Sequence, residues 1–327
     1  MKKQLMRPAA LLLASLAALS CSASALFGKS APEAEAGAPT ARDVEVRTYT
    51  SIPCESQFLA VDREGEDMTF AVAEAPKKGT VTIDGANFTY TPKEGAKGSD
   101  RFTYTATDSA GHVSPPATVT VTIERVRSGV TYADTAQDAA CAAAAQCLAE
   151  RGVFTGAKIG DNYYFEPRRQ VTREEFLAMV LETAGREVTE VTVTGFCDDS
   201  AIPAWAKGYA SAAVTDGILL GKPTEEGPAF RGEAPISFQE AAAILDRVLN
   251  LGDVDLDEWY ADREAAPTWA AQAVGNMEAF QVLSAGSFGS DALDRPVTRA
   301  DAAGMLAAAG TLLEGGEEKT GLFGWFE

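Results

Sequence analysis

The sequence predicts two domains, an all-β sandwich followed by an all-α unit of three tandem helix-loop-helix repeats. The chain has 327 residues, enough for about two domains of ordinary size. Residues 43–126 contain short runs in which apolar residues alternate with threonine, whereas the chain after about residue 130 is rich in alanine. In this second half an aromatic-x-Asp sequence recurs every 64 residues, beginning at Tyr132, Phe196 and Tyr260.

The composition narrows the classes of function. The chain is 46% hydrophobic and 23% charged, with a net charge of −19. This excess of acidic residues argues against a broad nucleic-acid surface, which needs clustered positive charge. His112 is the one histidine of the sequence, which excludes metal sites that need two or more histidines. After the N-terminal segment no run reaches the roughly 18 apolar residues of a membrane span, so no such span is predicted.

The first 25 residues predict export. A basic start at residues 2–7 precedes an apolar run at residues 11–19 and small residues at 23–25, the pattern of a secretory signal peptide. Cys21 lies in a sequence similar to a lipoprotein cleavage box, so ordinary cleavage and lipidation both stay open. Both routes place the protein outside the cytoplasm, at the cell surface.

Residues 26–42 are rich in alanine, proline, glycine and glutamate, and they predict a flexible linker. The β domain is predicted at 43–126. Its strongest signal is Asp84-Gly85, which stands between two alternating runs at 80–83 and 87–91 and predicts a hairpin.

Runs in this segment resemble the bacterial Ig-like or cadherin-like repeats of surface proteins. The runs are Asp67-Met68-Thr69-Phe70, Gly79-Thr80-Val81, Phe88-Thr89-Tyr90-Thr91-Pro92 and Arg101-Phe102-Thr103-Tyr104. The resemblance implies a spacer or adhesive module. Carboxylates in its loops are weak calcium candidates, with turn formation as the alternative. They are Asp62, Glu64, Asp67, Asp100 and Asp108.

The repeats in the second half resemble the S-layer homology (SLH) domain, in three copies at about 130–187, 194–250 and 257–315, followed by a tail at 316–327. The resemblance is carried by the aromatic-x-Asp openings, Trp205-Ala206, Trp269-Ala270, the turn at 216–221 and the Thr-Arg-x-Glu sequence at 172–175. The resemblance implies a pseudo-threefold helical domain and non-covalent anchoring to a bacterial cell wall. The implied ligand is an anionic secondary wall polysaccharide, often carrying pyruvate ketals, held in grooves between repeats.

Two residues of the Thr-Arg-x-Glu sequence are explained by helix capping. Thr172 and Glu175 have the spacing of a capping box, in which each side chain accepts a hydrogen bond from the other residue's backbone amide. Equivalent pairs are Ser237 with Glu240 and Thr298 with Asp301.

The arginines of this sequence are not explained by capping, because a cation in the first turn opposes the helix dipole. Arg173 and Arg299 are therefore predicted to hold a ligand carboxylate together with free helix N-terminal amides. Pairing with nearby acids is the alternative. Phe238 replaces the arginine in the second repeat, so fewer than three working grooves are expected.

Trp205 and Trp269 fit either stacking on a sugar ring or burial in the core. Four cysteines follow the signal peptide, and their pairing is not fixed by the sequence. They are Cys54, Cys141, Cys147 and Cys197.

The favoured function is that of a non-enzymatic envelope protein without a cofactor, because no domain-sized segment is left to form a catalytic cleft. The alternative is a degenerate SLH protein, lipidated at Cys21, that binds other surface proteins.

Overall fold

In the computed structural model, residues 37–62, 67–136, 138–256, 266–283 and 290–323 are described, and the chain divides after Arg125 into two compact units. Several predictions concern residues outside these ranges. They are the signal peptide with Cys21, residues 26–36 of the linker, Glu64, Tyr260-Ala261-Asp262 and the last four residues of the tail.

The N-terminal unit is an Ig-like β-sandwich. One sheet has the strand order β2-β9-β8-β5 and the other has β3-β7-β6, while β1 pairs with β4. Strands β2 and β9 run parallel, and the other described pairs in this unit are antiparallel. The strands are β1 Thr40–Arg42, β2 Val44–Tyr49, β3 Cys54–Gln57, β4 Leu59–Val61, β5 Thr69–Glu74, β6 Gly79–Asp84, β7 Asn87–Pro92, β8 Gly98–Thr107 and β9 Ala117–Glu124.

Alternation along the strands builds the core of the sandwich. In β9, Val119 and Val121 are fully buried while the intervening threonines are more exposed. Aromatic side chains also meet in this core, where the ring centroid of Phe58, between β3 and β4, lies 4.4 Å from that of Tyr104 in β8. A sheet that buries one face produces this alternation, and for that reason the alternation of apolar residues and threonine predicts the strands.

Two details of this unit bear on the predicted boundaries. Residues 40–42 belong to the predicted linker, but in the structure Thr40–Arg42 forms β1. Its backbone amides and carbonyls pair with those of Leu59–Val61 in a two-stranded antiparallel ladder. The predicted hairpin connects β6 and β7, with Gly85 at a φ of 59°, where a residue without a Cβ is favoured.

The C-terminal unit contains helices, but it is not all-α as predicted. Two short hairpins interrupt the repeats, because Gly160-Asp161 and Glu225-Glu226 each form a two-residue turn between extended segments. The elements are α1 Ala139–Glu150, β10 Ala157–Ile159, β11 Asn162–Tyr164, α2 Arg173–Thr183, a 3-10 helix Asp199–Ala201, α3 Ala204–Thr215, β12 Lys222–Thr224, β13 Gly227–Ala229, α4 Phe238–Leu249, α5 Ala271–Ala279, α6 Ser290–Leu293 and α7 Arg299–Phe323.

The helices of this unit pack in pairs that join successive repeats. Helix α2 packs against α3, α4 packs against α5, and α7 packs against α1. Each pair combines the second helix of one repeat with the first helix of the next, and the last pair returns from the third repeat to the first.

A closed ring of backbone hydrogen bonds lies where the three repeats meet. The amide of Val171 donates to the carbonyl of Val297, that of Val297 to Ile236, and that of Ile236 to Val171, at 2.9, 2.8 and 3.0 Å. All three side chains are fully buried. Each residue immediately precedes the N-cap residue of a long helix, so the ring fixes where α2, α4 and α7 begin.

The structure also bears on the predicted start of the C-terminal tail and on the pairing of the cysteines. The tail was predicted to begin at residue 316, whereas α7 continues to Phe323, because Glu317, Glu318 and Lys319 are good helix formers. The four cysteines form no disulfide among the described residues, and burial raises the pKa of the Cys54 and Cys141 thiols to about 12.

The close approach of α3 to the segment between repeats 1 and 2 gives a testable prediction. A Cβ at Gly208 would lie 2.8 Å from the Thr189 carbonyl oxygen and 2.9 Å from Val188 Cγ1. Gly208→Ala should therefore lower the free energy of unfolding by about 1–3 kcal/mol in chemical denaturation, although alanine favours helix.

Gly304 in α7 is the matched control, since no described atom lies within 4 Å of a Cβ placed there. Gly304→Ala should raise the free energy of unfolding by about 1 kcal/mol. Equal gains in both variants would show that α3 does not pack as closely as described.

Candidate functional site

The candidate site is the set of junctions where the start of one repeat's second helix faces the loop of the next repeat. At α2, the Thr172 amide donates to Glu175 at 3.1 Å and the Glu175 amide donates to Thr172 Oγ1 at 3.3 Å, which forms the capping box. Thr298 and Asp301 form the same pair of bonds at α7. At α4, the Ser237 amide donates to Glu240 at 3.2 Å.

The remaining amides in the first turns are not open to a ligand. The Arg173 amide donates to the Ala234 carbonyl and the Glu174 amide donates to the Gly232 carbonyl, at 3.0 and 3.1 Å. Likewise, the Arg299 amide donates to the Arg169 carbonyl at 2.8 Å. The prediction that these amides help to hold a ligand carboxylate is therefore wrong, because the next repeat's loop already occupies them.

The aspartates of the aromatic-x-Asp sequences shape these loops. Both carboxylate oxygens of Asp134 accept from the amides of Phe165 and Glu166, and Asp198 accepts in the same way from Phe230 and Arg231. Glu166 and Arg231 both have a φ of 55°, an uncommon conformation for residues other than glycine. The local sequence gives no signal of this pairing, because the bonded residues are 31 to 33 positions apart.

Arg173 lies at the junction of repeats 1 and 2, and its side chain is only 7% exposed. Its Nε donates to the Phe230 carbonyl at 3.2 Å, and its Nη1 lies 3.1 Å from Glu240 Oε2. Lys222 Nζ lies 2.6 Å from the other Glu240 oxygen. Burial alone would raise the pKa of Glu240, but the Lys222 hydrogen bond and the Arg173 charge bring it below its ordinary value.

Arg299 lies at the junction of repeats 3 and 1. Its Nη1 donates to the Phe165 carbonyl at 2.9 Å and to Glu166 Oε2 at 2.7 Å, and its guanidinium carbon lies 4.9 Å from the ring centre of Phe154. Burial, followed by the nearby charge of Arg169, lowers the pKa of the Arg299 guanidinium. Charge is thus costly at this position, and an anionic partner there is favoured.

A second arginine stands at the same junction. Arg169 binds Glu175 with two parallel hydrogen bonds, at 2.8 and 3.1 Å. Burial would raise the pKa of Glu175, but the bonds from Arg169 and from the Thr172 amide lower it overall. This junction therefore holds two guanidinium groups and two carboxylates.

Comparison with known proteins gives two family matches. Residues 30–125 match the model of the bacterial cadherin-like domain, and residues 195–242 match that of the S-layer homology domain. Both domain types predicted from the sequence are confirmed. The SLH match covers most of the second repeat.

A surface-layer 125 kDa protein from Lysinibacillus sphaericus is 30% identical over 120 residues, which are 37% of this chain and 10% of that protein. The matched part thus spans about a tenth of this relative's length. Among solved structures, an endo-fucoidan hydrolase of glycoside hydrolase family 107 is 19% identical over 28% of this chain and 14% of that chain, with a TM-score of 0.24. A mutant SrpA adhesin from Streptococcus sanguinis is 18% identical over 31% of this chain and 64% of the adhesin chain, with a TM-score of 0.23. Likenesses this distant do not bear on function.

The second repeat lacks the arginine, and the junction of repeats 2 and 3 differs accordingly. Phe238 occupies the position, and the guanidinium carbon of Arg295 lies 4.2 Å from its ring centre. Arg295 also lies 3.8 Å from Asp301. A guanidinium is therefore present at each of the three junctions, but it comes from a different position in this one.

The two tryptophans of the repeats, Trp205 and Trp269, lie at the surface. Trp205 is 51% exposed in the first turn of α3, and Trp269 is 61% exposed just before α5. The alternative that they belong to the core is therefore wrong. Stacking on a sugar ring stays a prediction.

Two of the calcium candidates in the cadherin-like unit, Asp100 and Asp108, are engaged in other contacts. Asp100 accepts from the amides of Lys77 and Lys78 and from the Tyr90 hydroxyl, and Asp108 contacts His112. Among the described residues, no group of three or more histidine, cysteine, aspartate or glutamate side chains is arranged to hold a metal ion. Calcium binding, including at Asp62 and Asp67, stays a prediction.

The contacts of Arg173 predict a structural role. Arg173→Ala should lower the free energy of unfolding by about 2 kcal/mol, because the Phe230 carbonyl and Glu240 lose a buried charged partner. Chemical denaturation measures this. Arg168→Ala is the control at an exposed arginine nearby, with an expected change within about 0.5 kcal/mol. If the two variants were equally stable, Arg173 would not hold repeats 1 and 2 together.

Glu174, at the same junction, is buried in a way that lowers the stability of the fold. Its Oε2 has no hydrogen-bond partner among the described residues. Burial, with the nearby carboxylates of Glu233 and Glu175, raises its pKa above the ordinary 4.5. A raised pKa in the folded state means that the charged form destabilises the fold near neutral pH.

Glu174→Ala should therefore raise the free energy of unfolding by about 1 kcal/mol at pH 7, as alanine occupies the equivalent position 300. The gain should shrink as the pH falls through the raised pKa of the folded state towards the ordinary value of 4.5, and it should be lost below that value, where the wild-type side chain is protonated in both states. Denaturation curves at pH 7 and pH 4 test this. A loss of stability at pH 7 contradicts it.

Proposed function

We propose that this chain is a non-enzymatic protein of the bacterial cell envelope, exported by its N-terminal segment and attached to the cell wall by its C-terminal unit. The match of residues 195–242 to the SLH domain carries this proposal, since domains of this kind bind wall polymers. The similarity to a surface-layer protein supports it. Both matched domain types are non-catalytic kinds of domain. No helix within the described ranges combines the length and apolar character that crossing a membrane requires.

The three repeats are proposed to form one pseudo-threefold SLH unit. The ring of Val171, Ile236 and Val297 and the three helix pairs support this reading, because the same contacts recur from each repeat to the next. The cadherin-like unit would then serve as a spacer or as an adhesive module.

The proposed ligand is an anionic wall polysaccharide, such as one carrying pyruvate ketals. Arg299 is the better clamp of the two arginines, because Arg173 is almost fully buried and bonded to Glu240 and Phe230. The exposed rings of Trp205 and Trp269 offer flat apolar surfaces to sugars. Recognition by Arg299 depends on the side chain, as the helix amides beside it are occupied.

A second candidate is a degenerate SLH protein that binds other surface proteins. The burial of Arg173 and the presence of Phe238 favour it, since both reduce the number of grooves that could hold an acidic sugar.

Binding of the mature chain to purified wall polysaccharide tests the first candidate. Native polymer should bind, and depyruvylated polymer should bind at least about tenfold more weakly, because a charge-assisted contact is lost. Arg299→Gln should cause a similar loss with native polymer.

Arg186→Gln, at an exposed arginine, is the matched control and should leave binding unchanged. Equal binding of native and depyruvylated polymer would exclude the carboxylate as the recognised group. No binding to either polymer would reject wall anchoring and favour the protein-binding alternative.

A further inference from the structure

The carboxylate on Arg299 comes from an exposed residue. The Glu166 side chain is 53% exposed, whereas the Arg299 side chain it contacts is 12% exposed. The partly buried guanidinium thus presents one donor toward a carboxylate that reaches it from the solvent side. An ion pair of this kind contributes little to stability, because water competes for the exposed partner.

The second repeat shows that the fold does not need this carboxylate. Arg231 occupies the position equivalent to Glu166, with the same φ of 55° and the same hydrogen bonds to an upstream aspartate. The preceding carbonyl, from Phe165 or Phe230, accepts from the motif arginine in both repeats. The turn and its arginine contact therefore form equally well with a glutamate or an arginine at this position.

Arg299 nevertheless needs an anion more than a solvent-exposed arginine does. Its burial and the neighbouring Arg169 both disfavour its charge, and the two parallel bonds between Arg169 and Glu175 leave Glu175 engaged. Glu166 meets this need from within the chain. A ligand carboxylate could do so equally, and the negative charge in contact with Arg299 would be the same after it displaced Glu166 into the solvent.

We propose that Glu166 is an internal occupant of the Arg299 site, which the carboxylate of an acidic saccharide displaces on binding. The identity of residue 166 then sets the affinity of the junction between repeats 3 and 1. This inference builds on the proposed wall-binding function and specifies how that site is regulated.

The same exchange is not open to Arg173. Its carboxylate partner, Glu240, also caps α4 through the Ser237 amide and contacts Lys222. Displacing Glu240 would break the start of a helix as well as an ion pair. The junction of repeats 3 and 1 is therefore the one at which a ligand replaces a dispensable contact.

Glu166→Gln tests the proposal, because glutamine retains the size of the side chain and removes the competing charge. The probe is a methyl hexopyranoside carrying a 4,6-linked pyruvate ketal, with its methyl ester as the uncharged reference. Calorimetry on the mature chain should show binding about tenfold tighter for Glu166→Gln than for wild type. The methyl ester should bind both proteins equally weakly.

Glu190→Gln controls for the change in net charge, since Glu190 is exposed and lies in the segment between repeats 1 and 2. It should bind the probe as wild type does. Thermal melting should be nearly the same for all three proteins.

The outcomes separate this inference from the function on which it depends. If wild type binds the probe and Glu166→Gln binds no more tightly than Glu190→Gln, the internal-occupant role is overturned and wall binding stands. If wild type and Glu166→Gln both fail to bind the probe and the native wall polymer, the proposed function fails, and this inference fails with it.

Discussion

Three backbone hydrogen bonds, closed into a ring by Val171, Ile236 and Val297, determine how the C-terminal unit is built. Each of these residues donates to one neighbouring repeat and accepts from the other, and each directly precedes a helix cap. A single repeat would leave such groups unpaired and its apolar face uncovered, so the repeats are stable only together. The ring also brings the start of each second helix against the next repeat's loop.

That placement decides what the helix starts can do. An isolated helix N-terminus offers unpaired amides that attract anions. Here the loop carbonyls of Ala234 and Arg169 accept from the first amides of α2 and α7. Anion recognition is therefore left to side chains, and the burial of each arginine decides whether it can contribute. Arg173 is enclosed by partners that the fold requires, whereas the carboxylate partner of Arg299 comes from an exposed turn.

Local chemistry could be predicted from the sequence, because capping and strand alternation depend on spacings of two to four residues. The box at Thr172 and Glu175 and the hairpin at Gly85 are of this kind. The partners of the arginines could not be predicted, since Arg299 and Phe165 are 134 positions apart and meet only when the last repeat packs on the first. The role of Asp134 could not be predicted for the same reason, since the residues whose amides it accepts from are 31 and 32 positions away in the sequence.

The negative net charge of the chain makes the contacts between its arginines and carboxylates decisive for binding an acidic polymer. A protein with a net charge of −19 repels an acidic polymer at long range, although salt screens this repulsion beyond about 8 Å. An acid-rich chain also tends to place its own carboxylates on its arginines, as Glu166 does on Arg299. Binding an acidic sugar at such a site exchanges one carboxylate for another at the guanidinium and moves the displaced Glu166 carboxylate into water, which screens its charge. Exchange at a partly buried guanidinium is therefore a physically consistent way for an acidic protein to hold an acidic polymer.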